Sequence, residues 1–170
     1  MVDIEKNILS KIDLYSGKIL MPKGFEIKKD ILQNDIIKHN LNDCPFPFSR
    51  EWDKLNTYLN EHIRVEYKFN LINKLTTGYM FKPNEVSYPE KDIDELDLRN
   101  SPDYTMLYGV SLNNCSIKIY YDDNRRKNRS WDIKLNDNEF IIFPSTQQYV
   151  ITNNQKDKLN LILKITYEYI

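Results

Sequence analysis

The C-terminal half of the chain alternates apolar and polar residues in short runs separated by turn residues. Residues 131–135 (WDIKL) alternate in this way, and Asn136-Asp-Asn138 then gives a turn whose side chains bond their own backbone. The predicted strands are residues 105–110, 115–121, 131–135, 139–143, 149–152 and 159–170. Short strands at close spacing with turn signals between them are typical of a β-sandwich or barrel.

The N-terminal portion contains a helical period instead. Apolar residues recur every three or four positions from Trp52 to Tyr67, and Ser49 precedes them as a candidate N-cap. This pattern predicts a helix over residues 50–67. A shorter apolar pattern predicts a second helix over residues 29–38. Residues 18–21 and 68–81 are predicted strands, the second with a break at residues 76–78.

A polar, proline-containing segment of residues 83–102 separates these two portions. It carries the acids Glu90, Asp92, Asp94, Glu95 and Asp97. A run of charge like this predicts a solvated surface loop. A calcium loop is the alternative, because Asp92 and Asp94 alternate as its ligands do, but the glycine of its sharp turn does not follow.

Length and composition place these portions in one domain. The 170 residues predict a single domain, 1–170, with an N-terminal α/β portion (1–82), an acidic loop (83–102) and the core strands (103–170). The sequence contains no alanine and is rich in Asn, Ile, Lys and Tyr, which indicates an AT-rich viral or microbial genome. Neither a signal peptide nor an apolar run of about 18 residues is present, so we expect no membrane association.

The order of pieces in the C-terminal half resembles a known family. LYGV (107–110), WDIKLNDNEFIIFPS (131–145) and NNQKDKLNLILKITYEY (153–169) are similar to the double-stranded β-helix of 2-oxoglutarate and Fe(II)-dependent oxygenases. The similarity covers roughly residues 100–170 and is greatest to small oxygenase-like proteins of tailed phages. It implies a mostly β fold, a cupin-like jelly-roll core preceded by one or two helices.

The same resemblance implies where a metal site would lie. In the family, the segment that matches FPS leads to an iron-binding histidine, and a basic residue opening the last strand pairs with the cosubstrate. Gln148 and Lys158 fall near these two positions. The family's His-x-Asp pair would precede LYGV, where the chain has Asn-Ser-Pro-Asp-Tyr and offers only Asp103 as a remnant ligand.

The histidines do not supply the missing ligands. Ferrous oxygenases of this kind use two imidazoles and one carboxylate. The chain has two histidines, His39 and His62, and neither begins a His-x-Asp/Glu pair. We therefore expect no metal and no cofactor, with Fe(II) and 2-oxoglutarate required only if the chain is a divergent enzyme.

Two groups of residues are candidate binding sites. The predicted hairpin loop of residues 122–130 carries Arg125, Arg126, Lys127 and Arg129 and is followed by Trp131, a combination able to hold phosphate and stack on a ring. A solvated hairpin tip, or docking against the acidic loop or a partner's acids, is the alternative.

The second group is the expected mouth of the jelly-roll, with Gln148, Tyr149 and Lys158. Here the alternatives are structural: a turn amide, a core aromatic and a solvated edge charge.

Together these features favour a non-catalytic phage-type jelly-roll protein that acts by binding. It would be a virion structural or assembly component, or a host-interaction module, found in the host cytoplasm and then in the virion. Its partners would be virion or host proteins or further copies of itself, whereas a net charge of −1 does not favour nucleic acid. The alternatives are a divergent Fe(II)/2-oxoglutarate oxygenase using Asp103, Gln148 and Lys158, and a carbohydrate-binding module using Trp131.

Overall fold

The computed structural model describes residues 12–20, 23–68, 70–122 and 129–170, and the chain is mostly β with two α-helices in these ranges. The elements are β1 (Tyr15–Lys18), α1 (Lys29–Asn42), α2 (Arg50–Tyr67), β2 (Leu71–Phe81), a 3₁₀ turn (Leu98–Asn100), β3 (Tyr104–Ser111), β4 (Cys115–Asp122), β5 (Arg129–Leu135), β6 (Glu139–Pro144), β7 (Gln148–Asn153) and β8 (Asn160–Tyr169). No helix in the described ranges is long and apolar enough to cross a membrane.

The strands form two antiparallel sheets, which confirms the predicted jelly-roll. The larger sheet has the order β1-β6-β3-β8-β2, and the smaller has the order β5-β4-β7. Apolar residues of both sheets meet in one buried cluster, so the sheets pack face to face.

The two helices cover the outer face of the larger sheet. In α2, the residues Leu55, Leu59 and Ile63 are fully buried in a cluster that also contains Met106 of β3 and Phe140 of β6. Helix α2 spans the predicted residues and begins at Ser49, whose side-chain oxygen accepts a hydrogen bond from the Trp52 amide at 3.2 Å. Helix α1 runs four residues beyond the predicted end.

Strand alternation divides the larger sheet into two faces. In β3, Met106 belongs to the helix-side cluster, whereas Leu107 belongs to the cluster between the sheets. The same alternation in β8 puts Ile165 on the helix side and Ile162 between the sheets. Because side chains alternate along a strand, Lys164 lies on the same face as Ile162 and brings an amino group between the sheets.

The prediction of a solvated loop over residues 83–102 needs one correction: its first half is largely exposed but pairs with β7. Val86 and Glu90 form antiparallel bridges to Thr152 and Tyr149 of β7. The amide and carbonyl of Glu90 both bond to Tyr149, at 2.9 and 3.0 Å. This segment therefore lies along the free edge of the smaller sheet. The prolines and acids of this segment predict a loop. Local sequence pattern does not predict a pairing between residues about sixty positions apart.

Smaller differences concern the strand boundaries. Strand β1 covers residues 15–18, so the predicted strand over 18–21 is wrong at residues 19 and 20, while residue 21 lies outside the described residues. Strand β5 begins inside the predicted hairpin loop, at Arg129. Strand β2 continues through residues 76–78, where a break was predicted from Gly78. A Cβ atom on Gly78 would lie 3.0 to 3.2 Å from atoms of Ile36 in α1, so this glycine allows a helix to pack closely on the strand.

Candidate functional site

A buried ionic cluster lies between the two sheets. It consists of Glu90 and Asp92 from the segment before β3, Lys164 of β8, and the hydroxyl groups of Tyr79, Thr105, Ser145 and Tyr149. We call these seven residues the acid–lysine cluster. The side chains of Asp92 and Lys164 are 8% and 12% exposed, and that of Glu90 is 27% exposed.

Backbone pairing positions the two acids. The bridge between Glu90 and Tyr149 fixes the segment against β7, and the Asp92 amide reaches the carbonyl of Ser145 at 3.3 Å. Glu90 and Asp92 are two residues apart, so in an extended segment both carboxylates project to the same side. Both carboxylates contact Lys164.

Lys164 forms the central ion pairs. Its Nζ lies 2.6 Å from Oδ1 of Asp92 and 3.4 Å from Oε2 of Glu90. The same ammonium lies 5.0 Å from the centre of the Tyr79 ring, within the range of a cation–π contact. One positive charge thus bridges two carboxylates in a site with little water.

Hydroxyl groups bond to one oxygen of each carboxylate, Oδ2 of Asp92 and Oε2 of Glu90. The Tyr149 hydroxyl lies 3.0 Å from Oδ2 of Asp92 and 3.1 Å from Oε2 of Glu90, and Tyr79 donates to that same Glu90 oxygen at 2.9 Å. Thr105 donates to Oδ2 of Asp92 at 2.9 Å. Thr105 has one hydroxyl hydrogen, so the 2.9 Å contact with Ser145 has Ser145 as its donor.

Burial and charge set the protonation of these groups. Burial opposes the ammonium of Lys164, but Tyr79 and Asp92 outweigh it, so the pKa of Lys164 is raised above its ordinary value. Burial raises the pKa of Tyr79 to about 12. Burial, with Asp92 and Glu90 beside it, also raises the pKa of Tyr149. At neutral pH the lysine is charged and both phenols are protonated donors.

An apolar cavity opens beside this cluster. Its volume is about 390 Å³, and its lining includes Trp131, Phe143 and Gln147. The ring of Phe143 packs edge-on against Tyr149 with centroids 5.2 Å apart. Phe143 therefore forms a wall between the cavity and the acid–lysine cluster.

The structure distributes the sequence-predicted site residues over different places. Tyr149 is fully buried in the cluster, and Gln148 beside it is half-buried. Lys158 is exposed and lies in the turn before β8, where its carbonyl accepts a hydrogen bond from Asn153 at 2.8 Å. Asp103 is exposed, and its carboxylate accepts a hydrogen bond from the Tyr169 amide at 2.9 Å.

Only part of the predicted hairpin site can be located. Trp131, 56% exposed, lines the apolar cavity, and Arg129 is exposed at the start of β5. Arg125, Arg126 and Lys127 lie outside the described residues. Binding of a partner by this hairpin stays a prediction.

Sequence reasoning missed Lys164 and misplaced the acids. Lys164 interrupts the apolar run LILKITY, and a lone charge at an inward position of a buried strand is the signal that could have revealed it. Asp92 and Glu90 were assigned to a solvated loop. Their inward orientation depends on the pairing of Glu90 with β7, which local pattern does not encode.

The donor set of the cluster differs from two imidazoles and a carboxylate. Within the described ranges, no group of three or more His, Cys, Asp or Glu side chains could hold a metal ion. His39 and His62 lie on α1 and α2, on the far side of the larger sheet. The cluster offers carboxylate, phenol and hydroxyl oxygens, which suit hard divalent cations. These donor types fit such an ion only once the Lys164 ammonium has left the carboxylates.

Comparison with known proteins identifies the fold. No protein-family model and no curated protein sequence matches the chain. Among solved structures, it is similar to a prolyl-4-hydroxylase from Pseudomonas putida, with a TM-score of 0.64 and 9% identity over 91% of this chain and 87% of that one. The viral collagen prolyl hydroxylase vCPH from Paramecium bursaria Chlorella virus 1, in complex with 2-oxoglutarate, matches with a TM-score of 0.58 and 17% identity over 90% and 95%. HygX from Streptomyces hygroscopicus, with nickel and 2-oxoglutarate bound, matches with a TM-score of 0.60 and 10% identity over 91% and 82%.

These similarities bear on the expectations from sequence. The fold is the double-stranded β-helix seen in 2-oxoglutarate and Fe(II)-dependent oxygenases, which confirms the predicted fold. The expectation of a non-catalytic virion or host-interaction protein is wrong on this comparison, because two of these similar structures are hydroxylases by name. The expectation of no cofactor is also wrong on this comparison, since two of those structures hold 2-oxoglutarate and one of them also holds a metal.

Proposed function

We propose that this chain is a divergent 2-oxoglutarate and Fe(II)-dependent oxygenase in which Glu90 and Asp92 are the metal-binding residues. The observation that carries the proposal is the convergence of these two carboxylates between the sheets, next to the start of β7. The similarity of 91% of the chain to a prolyl-4-hydroxylase supports it. We assign the role of the family's His-x-Asp pair to Glu90-x-Asp92 instead of Asp103, which is exposed. Tyr149, next to Gln148 in β7, is the residue of that strand whose hydroxyl reaches both acids.

Other residues of the cluster hold the acids in position. Thr105 and Tyr149 donate to Oδ2 of Asp92 and leave Oδ1 to the cation, which is Lys164 in this structure. Tyr79 orients Glu90 through its 2.9 Å hydrogen bond. Ferrous iron and 2-oxoglutarate, when bound, would supply the activation of dioxygen, which is the oxidant for hydroxylation. Outer hydrogen bonds of this kind fix the geometry of metal ligands.

Lys164 is the basic residue that faces the site. The family resemblance assigned cosubstrate pairing to Lys158, but that side chain is exposed, six residues before Lys164. We therefore propose that Lys164, instead of Lys158, pairs with the distal carboxylate of 2-oxoglutarate. An ammonium that is 12% exposed provides a stronger electrostatic partner than one in open solvent.

The apolar cavity is the proposed place of the substrate. Its lining residues are Ile12, Asp13, Leu14, Ile119, Tyr121, Trp131, Phe143, Pro144 and Gln147. These side chains suit an apolar or aromatic group, with Trp131 as a stacking surface and Gln147 as a hydrogen-bonding group. A viral origin of the chain is part of the proposal, supported by its alanine-free composition and its likeness to phage proteins.

Succinate release from 2-oxoglutarate tests this function. With dioxygen and Fe(II), purified wild-type protein is expected to convert 2-oxoglutarate to succinate and carbon dioxide, and ascorbate reduces the second oxygen atom when no substrate is present. Asp92→Asn and Glu90→Gln should abolish this turnover, whereas Glu95→Gln, a change at an exposed acid of the same segment, should retain it. Absence of both metal binding and succinate from folded wild-type protein would overturn the proposal.

A further inference from the structure

Lys164 occupies the position between the two proposed metal ligands. Its Nζ is within ion-pair distance of both Asp92 and Glu90. Two carboxylates this close and this buried repel one another, so the fold needs a cation between them. In this structure the cation is the ammonium group of Lys164.

The carboxylate oxygens around Lys164 already have partners. On Asp92, Oδ1 accepts from Lys164 while Oδ2 receives hydrogen bonds from Thr105 and Tyr149. On Glu90, Oε2 accepts from Tyr79 and Lys164 and shares the single hydroxyl hydrogen of Tyr149 with Asp92. A divalent cation entering this space would meet the ammonium at close range, and two such charges exclude each other in a site of low dielectric constant.

We propose that Lys164 is an internal cation that competes with a divalent metal for Glu90 and Asp92. Metal binds only when the Lys164 ammonium leaves the carboxylates, and the metal-free protein keeps its shape because Lys164 substitutes for the metal's charge. This inference rests on the proposed function. It predicts a metal affinity lower than the two carboxylates alone would give, and release of Lys164 when metal binds.

Manganese binding in the absence of 2-oxoglutarate tests the competition. Mn²⁺ affinity is measured by electron paramagnetic resonance and calorimetry for wild type, Lys164→Met and a matched control, Lys118→Met. Lys118 also pairs with an acid, Asp132 at 3.7 Å, but on the protein surface. Lys164→Met is expected to bind Mn²⁺ at least about tenfold more tightly than wild type, and Lys118→Met equally tightly. Equal or weaker binding by Lys164→Met would overturn the inference.

A second measurement uses the wild-type chain, so it does not depend on the folding of a variant. Acetylation by a water-soluble ester is followed at Lys164 and Lys118 by mass spectrometry, with and without saturating Mn²⁺. Metal should accelerate acetylation of Lys164 several-fold and leave Lys118 unchanged. An unchanged rate at Lys164 overturns the inference.

The two proposals fail in different ways. Saturable Mn²⁺ binding that is equally tight in wild type and Lys164→Met removes the competition but leaves the metal site. Absence of Mn²⁺ binding in both folded proteins overturns the proposed function, and the competition with it. Lys164→Gln, which keeps a hydrogen-bond donor without the charge, replaces Lys164→Met if the latter does not fold.

Discussion

Lys164 and Asp92 are 72 residues apart in the sequence, and the Lys164 Nζ lies 2.6 Å from the Asp92 Oδ1. The pair joins β8 of the larger sheet to the segment that runs beside β7 at the edge of the smaller one. It therefore links the two sheets. Both side chains are nearly buried, so removal of either one leaves the other as an uncompensated buried charge.

Removal of one partner should destabilise the protein strongly. Asp92→Asn leaves a buried ammonium with one partner fewer, and breaking a buried ion pair in this way costs about 3–5 kcal/mol. The free energy of unfolding, from urea titration, measures the loss. Glu95→Gln is the control and should change stability by less than about 0.5 kcal/mol. A loss below about 1 kcal/mol for Asp92→Asn would show that the pair is solvated.

Replacement of both partners should recover part of that loss. The double variant Asp92→Asn with Lys164→Met removes the unpaired charge that each single variant leaves behind. Its stability should therefore exceed the value expected from adding the two single losses, and a double-mutant cycle measures the difference. Strict additivity would contradict a direct interaction between these side chains.

Stability should fall at alkaline pH. Tyr79 has its pKa raised to about 12, and the pKa values of Tyr149 and Lys164 are also raised, so the folded chain holds protons that the unfolded chain releases. These groups stabilise the fold fully below their unfolded pKa values of about 10 to 10.4, and the contribution declines as the pH rises above them. Each group adds a slope of up to about 1.4 kcal/mol per pH unit.

The free energy of unfolding, measured by urea titration at several pH values, tests this dependence. Urea titrations between pH 9 and 11 should show a steep loss in wild type and a shallower one in Tyr149→Phe, which removes one of the linked protons. A loss of equal slope in the two proteins would contradict the assignment of Tyr149 as a group that stays protonated in the folded state.

Gly109 allows β3 to approach the turn after β5. A Cβ atom at this position would lie 2.4 Å from the carbonyl oxygen of Asn136 and 2.5 Å from Cδ1 of Leu112. Gly109→Ala is expected to lower the free energy of unfolding by about 1–3 kcal/mol. A second change, Leu112→Ala, removes the clash with the Leu112 side chain but not the clash with the Asn136 carbonyl. The double variant Gly109→Ala with Leu112→Ala should therefore not regain wild-type stability. Full restoration would show that the Asn136 carbonyl can move.

The two cysteines should differ in reactivity. Cys115 is fully buried between the sheets, and burial raises the pKa of its thiol to about 12. A thiol reagent at pH 8 should modify Cys44, which is half-buried, in the native protein and reach Cys115 only in denaturant. Rapid modification of both thiols in the native protein would indicate that the sheets open easily.

Much of the fold can be predicted from the sequence because the signals for helices, helix caps and strands lie within short stretches of the chain. The 3.6-residue period from Trp52 and the Ser49 cap predict α2 with its observed bounds, alternation predicts β4, and an apolar run predicts β6, both nearly as they are. The edge segment around Glu90 was missed, since two prolines and a run of acids indicate a loop while the pairing partner lies far away in the sequence.

The chemistry of the site was harder to predict for the same reason. Tyr149 was chosen from its position after FPS and does lie in the cluster. Lys164 and Asp92 carry no motif of their own, and only the packing of the two sheets brings them together. A charged residue within the apolar run of β8 is the one local sign of this cluster, because such a charge needs a buried partner.

Anomalous diffraction from a crystal grown with Mn²⁺ and 2-oxoglutarate tests the central claim most directly. A manganese peak in contact with the carboxylates of Glu90 and Asp92 is expected, with the Lys164 Nζ moved away from Asp92. A map without manganese between these carboxylates, and with Lys164 still 2.6 Å from Asp92, would contradict the assignment of this cluster as a metal site.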